Sequence, residues 1–281
     1  MVSHKCIKYL LPNYRLSNIF IVKIFISYIM SLKSNKIKTN NNIILYLDEE
    51  DSLGLTFNKC YEPMETKFIL NTITNSMVVL DIGANIGYYT TIFSKLLKKG
   101  EVISFEPDSN NFLLLKKNCE LNKMSNIKLH KLACGNVNKS KNLFISTKNK
   151  GDHRTYRIED EKRESKVISM VRLDDFLSDI KKLDFVKIDV QGYEFDVILG
   201  MRNLISKFKP IIVLEFWPKG LLMNKHNPKK FLDFIYNLGY DIHLLTFSND
   251  NCILNKIELD NHDSIYESER NDLNIVLKRK L

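Results

Sequence analysis

The stretch VVLDIGANIGYYTTIFS, residues 78–94, constrains this chain more than any other. A run of β-branched and aliphatic residues breaks at Asp81 into glycine, asparagine and glycine, and a helical pattern follows. A strand that turns on glycines straight into a helix exposes backbone N–H groups at the helix start, and such turns hold small molecules.

The same alternation recurs along the body. Strands are predicted at 43–47, 77–82, 101–105, 127–133, 185–189, 211–216, 240–245 and 273–277, and helices at 88–97, 110–121, 193–199 and 228–238. A further helix is expected to start at Pro63, a residue suited to the first helical position. Strands alternating with helices imply a parallel sheet with helices on both faces. Such sheets bind ligands at the carboxyl ends of their strands. Those places follow Ile82, Phe105, Ala133, Ile188 and Phe216, and each has a polar or glycine-rich sequence at or next to it.

A phosphate-bearing dinucleotide fits the turn poorly. Gly83, Asn85 and Gly87 do not complete a G-x-G-x-x-G fingerprint, and Asp81 would repel a pyrophosphate. A cationic ligand reverses that sign. S-adenosylmethionine carries a sulfonium and an ammonium and no phosphate. Gly83 and Gly87 let the backbone come close, and Asn85 tolerates a left-handed conformation; Ala84, in the same turn, is counted with the cofactor-binding residues. Glu106, 23 residues past Gly83 and followed by Pro107, stands where a carboxylate accepts hydrogen bonds from ribose hydroxyls.

Composition narrows the partners. The net charge is +9, but residues 1–47 hold seven Lys and Arg and no Asp or Glu, leaving +2 for the remainder. A tail excess is not the basic stripe that nucleic acid needs, so no nucleic-acid partner is expected. The five cysteines, Cys6, Cys60, Cys119, Cys134 and Cys252, are scattered and lack CxxC spacing, so free thiols in the cytoplasm are expected and no metal site.

Residues 19–30, IFIVKIFISYIM, span only ~18 Å as a helix against a ~30 Å hydrocarbon core. A basic start suits a signal peptide, but the polar SLKSNKIK that follows offers no small-residue cleavage site. The favoured reading is a helix packed on the body; a membrane-surface segment within residues 1–33 is the sharper one. Residues 1–42 are read as a basic extension and linker, and 43–281 as the catalytic domain.

In YEPMET (61–66), VVLDIGANIGYYT (78–90), VISFEPDSNN (102–111), LACGN (132–136), GDHRTY (151–156), RLDDFL (172–177), DFVKIDVQGYEFDVILGM (184–201) and IIVLEFWPKGL (211–221), the chain resembles the FkbM family of S-adenosylmethionine-dependent methyltransferases. The resemblance covers about residues 55–245. It implies an α/β class I methyltransferase fold with a mostly parallel, Rossmann-like seven-stranded sheet flanked by helices. It also implies S-adenosylmethionine as cofactor and O-methylation of a sugar or small-molecule hydroxyl. Carried over, Asp81, Gly83, Asn85 and Gly87 would frame the methionine end, Glu106 the ribose, and Ala133 with Cys134 the adenine. Glu62 would lie in a covering segment. Family members often have an acidic residue after the third strand, where this chain has Cys134-Gly135-Asn136.

A hydroxyl acceptor must lose its proton, so a positioned base helps. Asp189, at the end of the fourth strand, is the first candidate, with helix capping as its plain alternative. His153 in GDHRTY and Glu194 follow. Arg154, Tyr156, Glu215 and Trp217 are the candidate acceptor-binding residues. Two rivals are weighed: a nicotinamide oxidoreductase and a non-catalytic module that keeps the cofactor fold.

Overall fold

The computed structural model describes residues 35–147, 149–157, 161–248, 251–257 and 273–280. The apolar segment 19–30 lies outside them. Among the described residues no helix is long and apolar enough to cross a membrane.

The described chain opens with β1 (Lys36–Lys38) and β2 (Ile44–Tyr46), then α1 (Leu55–Asn58) and α2 (Pro63–Thr72). The first βα units are β3 (Val78–Ile82), α3 (Tyr88–Leu96), β4 (Glu101–Phe105), α4 (Ser109–Leu121) and β5 (Ile127–His130). A lateral sheet follows, from β6 (Ala133–Cys134), β7 (Lys139–Phe144) and β8 (Ser165–Val171). Then come α5 (Leu173–Phe176), β9 (Phe185–Ile188), α6 (Glu194–Gly200), α7 (Arg202–Phe208), β10 (Ile211–Phe216), α8 (Pro218–Met223) and α9 (Pro228–Asn237). The chain ends in β11 (Tyr240–Ser248), β12 (Asn251–Ile257) and β13 (Leu273–Arg279).

The main sheet has the order β12-β11-β13-β10-β9-β3-β4-β5. Five neighbours, β10 through β5, run parallel, and β13, β11 and β12 add antiparallel pairings. The α/β architecture is the expected one, with eight strands in place of seven. The extra strand comes from the hairpin Tyr240–Ile257, whose second arm reads as polar because it lies at an edge with alternate residues in solvent.

Period-two alternation divides the core. Leu80, Ile82, Ile103, Phe105, Val186 and Ile188 pack on one face; Val79, Val102, Phe185, Val213 and Val276 pack on the other. On the second face the apolar run is interrupted by Asp81, Ser104 and Lys187, which stand in register on three adjacent strands. Thr90 of α3 joins two of them, donating to Asp81 Oδ2 at 2.6 Å and lying 2.9 Å from the Ser104 hydroxyl.

Three boundaries differ from expectation. The strand expected over 127–133 ends at His130, and Ala133-Cys134 pair instead with Met170 and Val171 in the lateral sheet. Residues 36–38, within the expected linker, form β1, closed on β2 by a turn in which Asn42 takes a positive φ of 56°. The connection after Ile145 is folded back by β7 and β8, whose mixed Lys, Ser and Asn content hides their pairing from a hydrophobic-pattern reading.

Candidate functional site

The turn after β3 is built by close backbone approach. Gly83 and Ala84 both donate to the Phe105 carbonyl at 3.0 Å. Gly83 has φ +83°, and a Cβ there would lie 1.9 Å from the Asp189 carbonyl oxygen. Only glycine fits both constraints. Gly87, at φ +89°, lets α3 pass Leu115 of α4. Asn85 takes the left-handed conformation at φ 51°.

That geometry aims backbone donors at Glu106. Its Oε2 accepts from the Asn85 amide at 2.9 Å, and its Oε1 accepts from the Asp108 amide at 2.8 Å. Each oxygen keeps a further lone pair for a hydroxyl. Burial pushes the Glu106 carboxyl up to about 8; the two amide bonds pull it down, and the Asp108 and Asp81 charges add to the rise. Asp108 also caps α4, accepting from the Asn110 and Asn111 amides.

Glu106 opens on a cleft of about 680 Å³ at the carboxyl ends of β3, β4 and β9. Phe105, Leu132, Ala133, Cys134 and Leu143 form an apolar wall at one end. Asp189, Gln191 and Tyr61 line the cleft as well. Buried polar atoms without a protein partner lie on other residues lining the cleft, at Asn85 Oδ1 and Thr155 Oγ1. Such atoms call for a ligand's complementary groups. An adenosyl ligand suits this set: two carboxylate oxygens for vicinal hydroxyls, an apolar slot for a flat base, and glycine backbone where bulk is excluded.

Charged side chains dominate around Asp189. Lys187, 3% exposed in its side chain, reaches Asp189 Oδ2 at 3.3 Å and Glu65 Oε1 at 3.8 Å, and lies 4.6 Å from the centre of the Tyr89 ring. Burial alone would lower the Lys187 ammonium, but the carboxylates of Asp189, Glu65, Glu62 and Asp81 outweigh it and raise it. Burial, with Glu62 beside it, raises Glu65 well above the carboxylate range despite Lys187. Gln191 Nε2 donates both to Asp189 Oδ1 at 2.9 Å and to Glu215 Oε2 at 2.8 Å, tying the ends of β9 and β10 together.

Of the expected cofactor residues, Gly83, Asn85, Glu106, Pro107, Ala133 and Cys134 line the cleft. Asp81, Ala84, Gly87 and Glu62 stand behind the lining. Asp81 is 1% exposed beneath the turn. Burial raises its carboxyl, with Lys187 and Thr90 opposing. Glu62 accepts from the Tyr89 hydroxyl at 3.2 Å.

Among the expected catalytic residues, Asp189 and His153 line the cleft and Glu194 does not. Glu194 is fully buried, and its Oε1 accepts from the Val190 and Gly192 amides. It clamps the loop that carries Asp189 and Gln191. Burial raises it to about 7 against those amide bonds. His153 Nδ1 accepts from the Ser146 amide at 3.1 Å, and burial lowers the ring to about 4. An imidazole so lowered is a weak base at neutral pH.

None of the four expected acceptor residues lines the cleft. Arg154 binds Asp152 at 2.7 Å and stacks over Trp217 at 4.9 Å. The Tyr156 hydroxyl donates to the Gln191 carbonyl at 2.9 Å. Glu215 Oε2 accepts from Gln191 Nε2, a residue that does line the cleft. Gln191 and Tyr61 were not among the expected site residues. Gln191 has a legible signal in its left-handed turn, since QG before a helix start marks a strained connection. Among the described residues no group of three or more His, Cys, Asp or Glu could hold a metal ion.

Residues 81–242 match the model of the methyltransferase FkbM domain. A curated relative, Methyltransferase 1 of Beauveria bassiana (strain ARSEF 2860), is 23% identical over 196 residues, 60% of this chain and 76% of its own length. The crystal structure of methyltransferase FkbM from Methylobacillus flagellatus KT is 18% identical with a TM-score of 0.45, covering 73% of this chain; the chain spans 44% of that protein's length. A Streptococcus mutans protein of methyltransferase type, solved in complex with SAH, is 9% identical with a TM-score of 0.46, covering 78% of this chain and 99% of its own. The domain match takes in the glycine turn, Glu106, Asp189 and Glu215, and this chain belongs to the FkbM methyltransferase family.

Proposed function

We propose that the chain transfers the methyl group of S-adenosylmethionine to a hydroxyl of a carbohydrate or another hydroxylated small molecule. The observation that carries this reading is the opening of Glu106 and Asp189 on one cleft. One carboxylate is braced by backbone amides for a ribose, and the other is held by Lys187 and Gln191 within the same cavity.

Glu106 would hold the ribose hydroxyls, and Asn85 and Gly83 would face the methionine end. Bound there, the cofactor supplies an electrophilic methyl group on a sulfonium. Asp189 accepts the acceptor's hydroxyl proton at a carboxylate oxygen. Gln191 and Lys187 keep that carboxylate oriented, and much of the acceleration comes from alignment of the reacting groups.

The test is incubation of the full chain with methyl-labelled S-adenosylmethionine and fractionated cell glycans, lipids and small molecules. Label in an alkali-stable ether of a glycan or small hydroxylated molecule is expected. Label found only on nitrogen would remove the O-methyl assignment, and tight NAD binding with none of S-adenosylmethionine would remove the whole reading. A surface role for residues 1–33 is a separate proposal. Flotation with anionic vesicles, with and without that segment, decides it; equal behaviour of the two chains ends it.

A further inference from the structure

We infer that the strap from Lys150 to Thr155 reads the adenine edge of the cofactor, with His153 donating from Nε2 and Thr155 accepting at Oγ1. The inference rests on the S-adenosylmethionine reading above.

The apolar end of the cleft needs such a reader. Phe105, Leu132, Ala133, Cys134 and Leu143 offer surface to a flat base. Cys134 is 3% exposed, and burial keeps its thiol raised well above its ordinary range, so it stays protonated. Packing on such a wall stabilises any purine and distinguishes none.

The strap supplies polarity with a defined sense. His153 Nδ1 accepts from the Ser146 amide, so the proton of the neutral ring sits on Nε2 and that atom donates. Thr155 Oγ1 is buried, has no protein partner and belongs to a residue lining the same cleft. The two residues flank Arg154, which exchanges backbone hydrogen bonds with Phe144 at 2.7 and 3.1 Å. In extended chain alternate side chains share a side. His153 and Thr155 accordingly face the cleft, while Arg154 lines a separate crevice with Arg157 and Arg163.

The strap is also braced. The Lys150 amide donates to Ser52 Oγ at 2.7 Å, and Ser52 is held by Asp48 at 2.9 Å. Asn111 Nδ2, from α4, donates to the Lys150 carbonyl at 2.9 Å. A reader must be held still to discriminate. Adenine presents an acceptor at N1 beside a donor amine at N6, the complement of one donor and one acceptor. Hypoxanthine presents a donor at N1 and an acceptor at O6, and so opposes the His153 donor.

Isothermal titration of the full chain with S-adenosylhomocysteine and with S-inosylhomocysteine tests this. The unaltered protein is expected to prefer the adenosyl compound by about 100-fold. His153→Ala should weaken S-adenosylhomocysteine about tenfold and erase most of the preference; His153→Gln, which keeps a donor, should retain both within about threefold. Thr155→Val should narrow the preference with an unchanged melting temperature. Binding of both compounds equally by the unaltered protein overturns the inference while leaving the cofactor reading intact, and needs no variant to fold. Unchanged affinity and preference in His153→Ala overturns it too. Failure of the unaltered protein to bind S-adenosylhomocysteine at all overturns the cofactor reading and this inference with it.

Discussion

The two ends of the cleft are built from different materials. At the β3–β4 end, the backbone does the positioning: Gly83 and Ala84 share one carbonyl, and two amides brace Glu106. At the β9–β10 end, side chains do it: Lys187, Glu65, Asp189, Gln191 and Glu215 form a polar chain, buried at Lys187 and Glu65, drawn from α2, β9 and β10 and the loop after β9. A backbone cradle depends on a few residues adopting special dihedrals. A buried charge network depends on every member being present, because each one lost leaves another desolvated and unpaired.

The largest expected effect would break the β9–β10 end alone. Asp189→Asn should lower methyl-transfer turnover by about 10²- to 10⁴-fold. On the proposed role of Asp189 as the acceptor's base, S-adenosylmethionine affinity should stay within about twofold. Turnover within a few-fold of the unaltered enzyme in steady-state kinetics would leave Asp189 a purely structural residue.

Next in size, Glu106→Gln attacks the other end. Measured above pH 8, where the carboxyl is ionised, loss of the charged acceptor should weaken S-adenosylmethionine by about 100-fold in titration calorimetry. Turnover at saturating cofactor should change far less.

A pH series sharpens the contrast more gently. Glu106 has a folded value of about 8, above the ordinary carboxylate range. Its ionised form is the better ribose acceptor, so cofactor affinity should rise toward pH 8 by up to about tenfold per unit and level off beyond it. Stability runs the other way. A carboxyl raised on folding contributes stability that is complete below its unfolded value and lost as pH rises through about 8. The ligand-free protein should therefore melt at lower temperature as pH climbs from 5 to about 8, and bound cofactor should offset the loss.

Glu194→Gln is the smallest change. Near pH 6 it should alter stability by about 0.5 kcal/mol or less, because the carboxyl is largely protonated below its value of about 7. It should also flatten part of the decline toward pH 8, measured by calorimetric melting. A large loss at pH 6 would mean that the clamp on Val190 and Gly192 needs the charge.

Legibility followed the same division. VVLDIGANIGYYT and FEP were readable because they encode local backbone geometry: a strand, positive-φ turn positions and a carboxylate at the next strand end. Helices from Pro63, Tyr88 and Pro228 began where expected, two of them on a proline at the first helical position. The acceptor residues were harder. Arg154 and Tyr156 sit in a motif-like segment, yet one turns away into an ion pair with Asp152 and the other pins a carbonyl. Glu194 looked like a free carboxylate five residues past Asp189, but two amides of its own loop capture it. Gln191 ties β9 to β10 through Glu215, 24 residues away, a pairing that no local run of residues encodes.

The chain's own order of residues thus determined the alternating α/β architecture, the glycine turn and the carboxylate at Glu106, since each follows from dihedral preference and short-range periodicity. Tertiary structure alone decided which polar side chains face the cleft. A side chain's direction there depends on the strand register that sets Asp81 beside Lys187 and on the Phe144–Arg154 bridge at the edge of the lateral ladder, which brings His153 and Thr155 to the cleft. Both are non-local pairings, and no local run of residues specifies which partner a strand or a buried charge will meet.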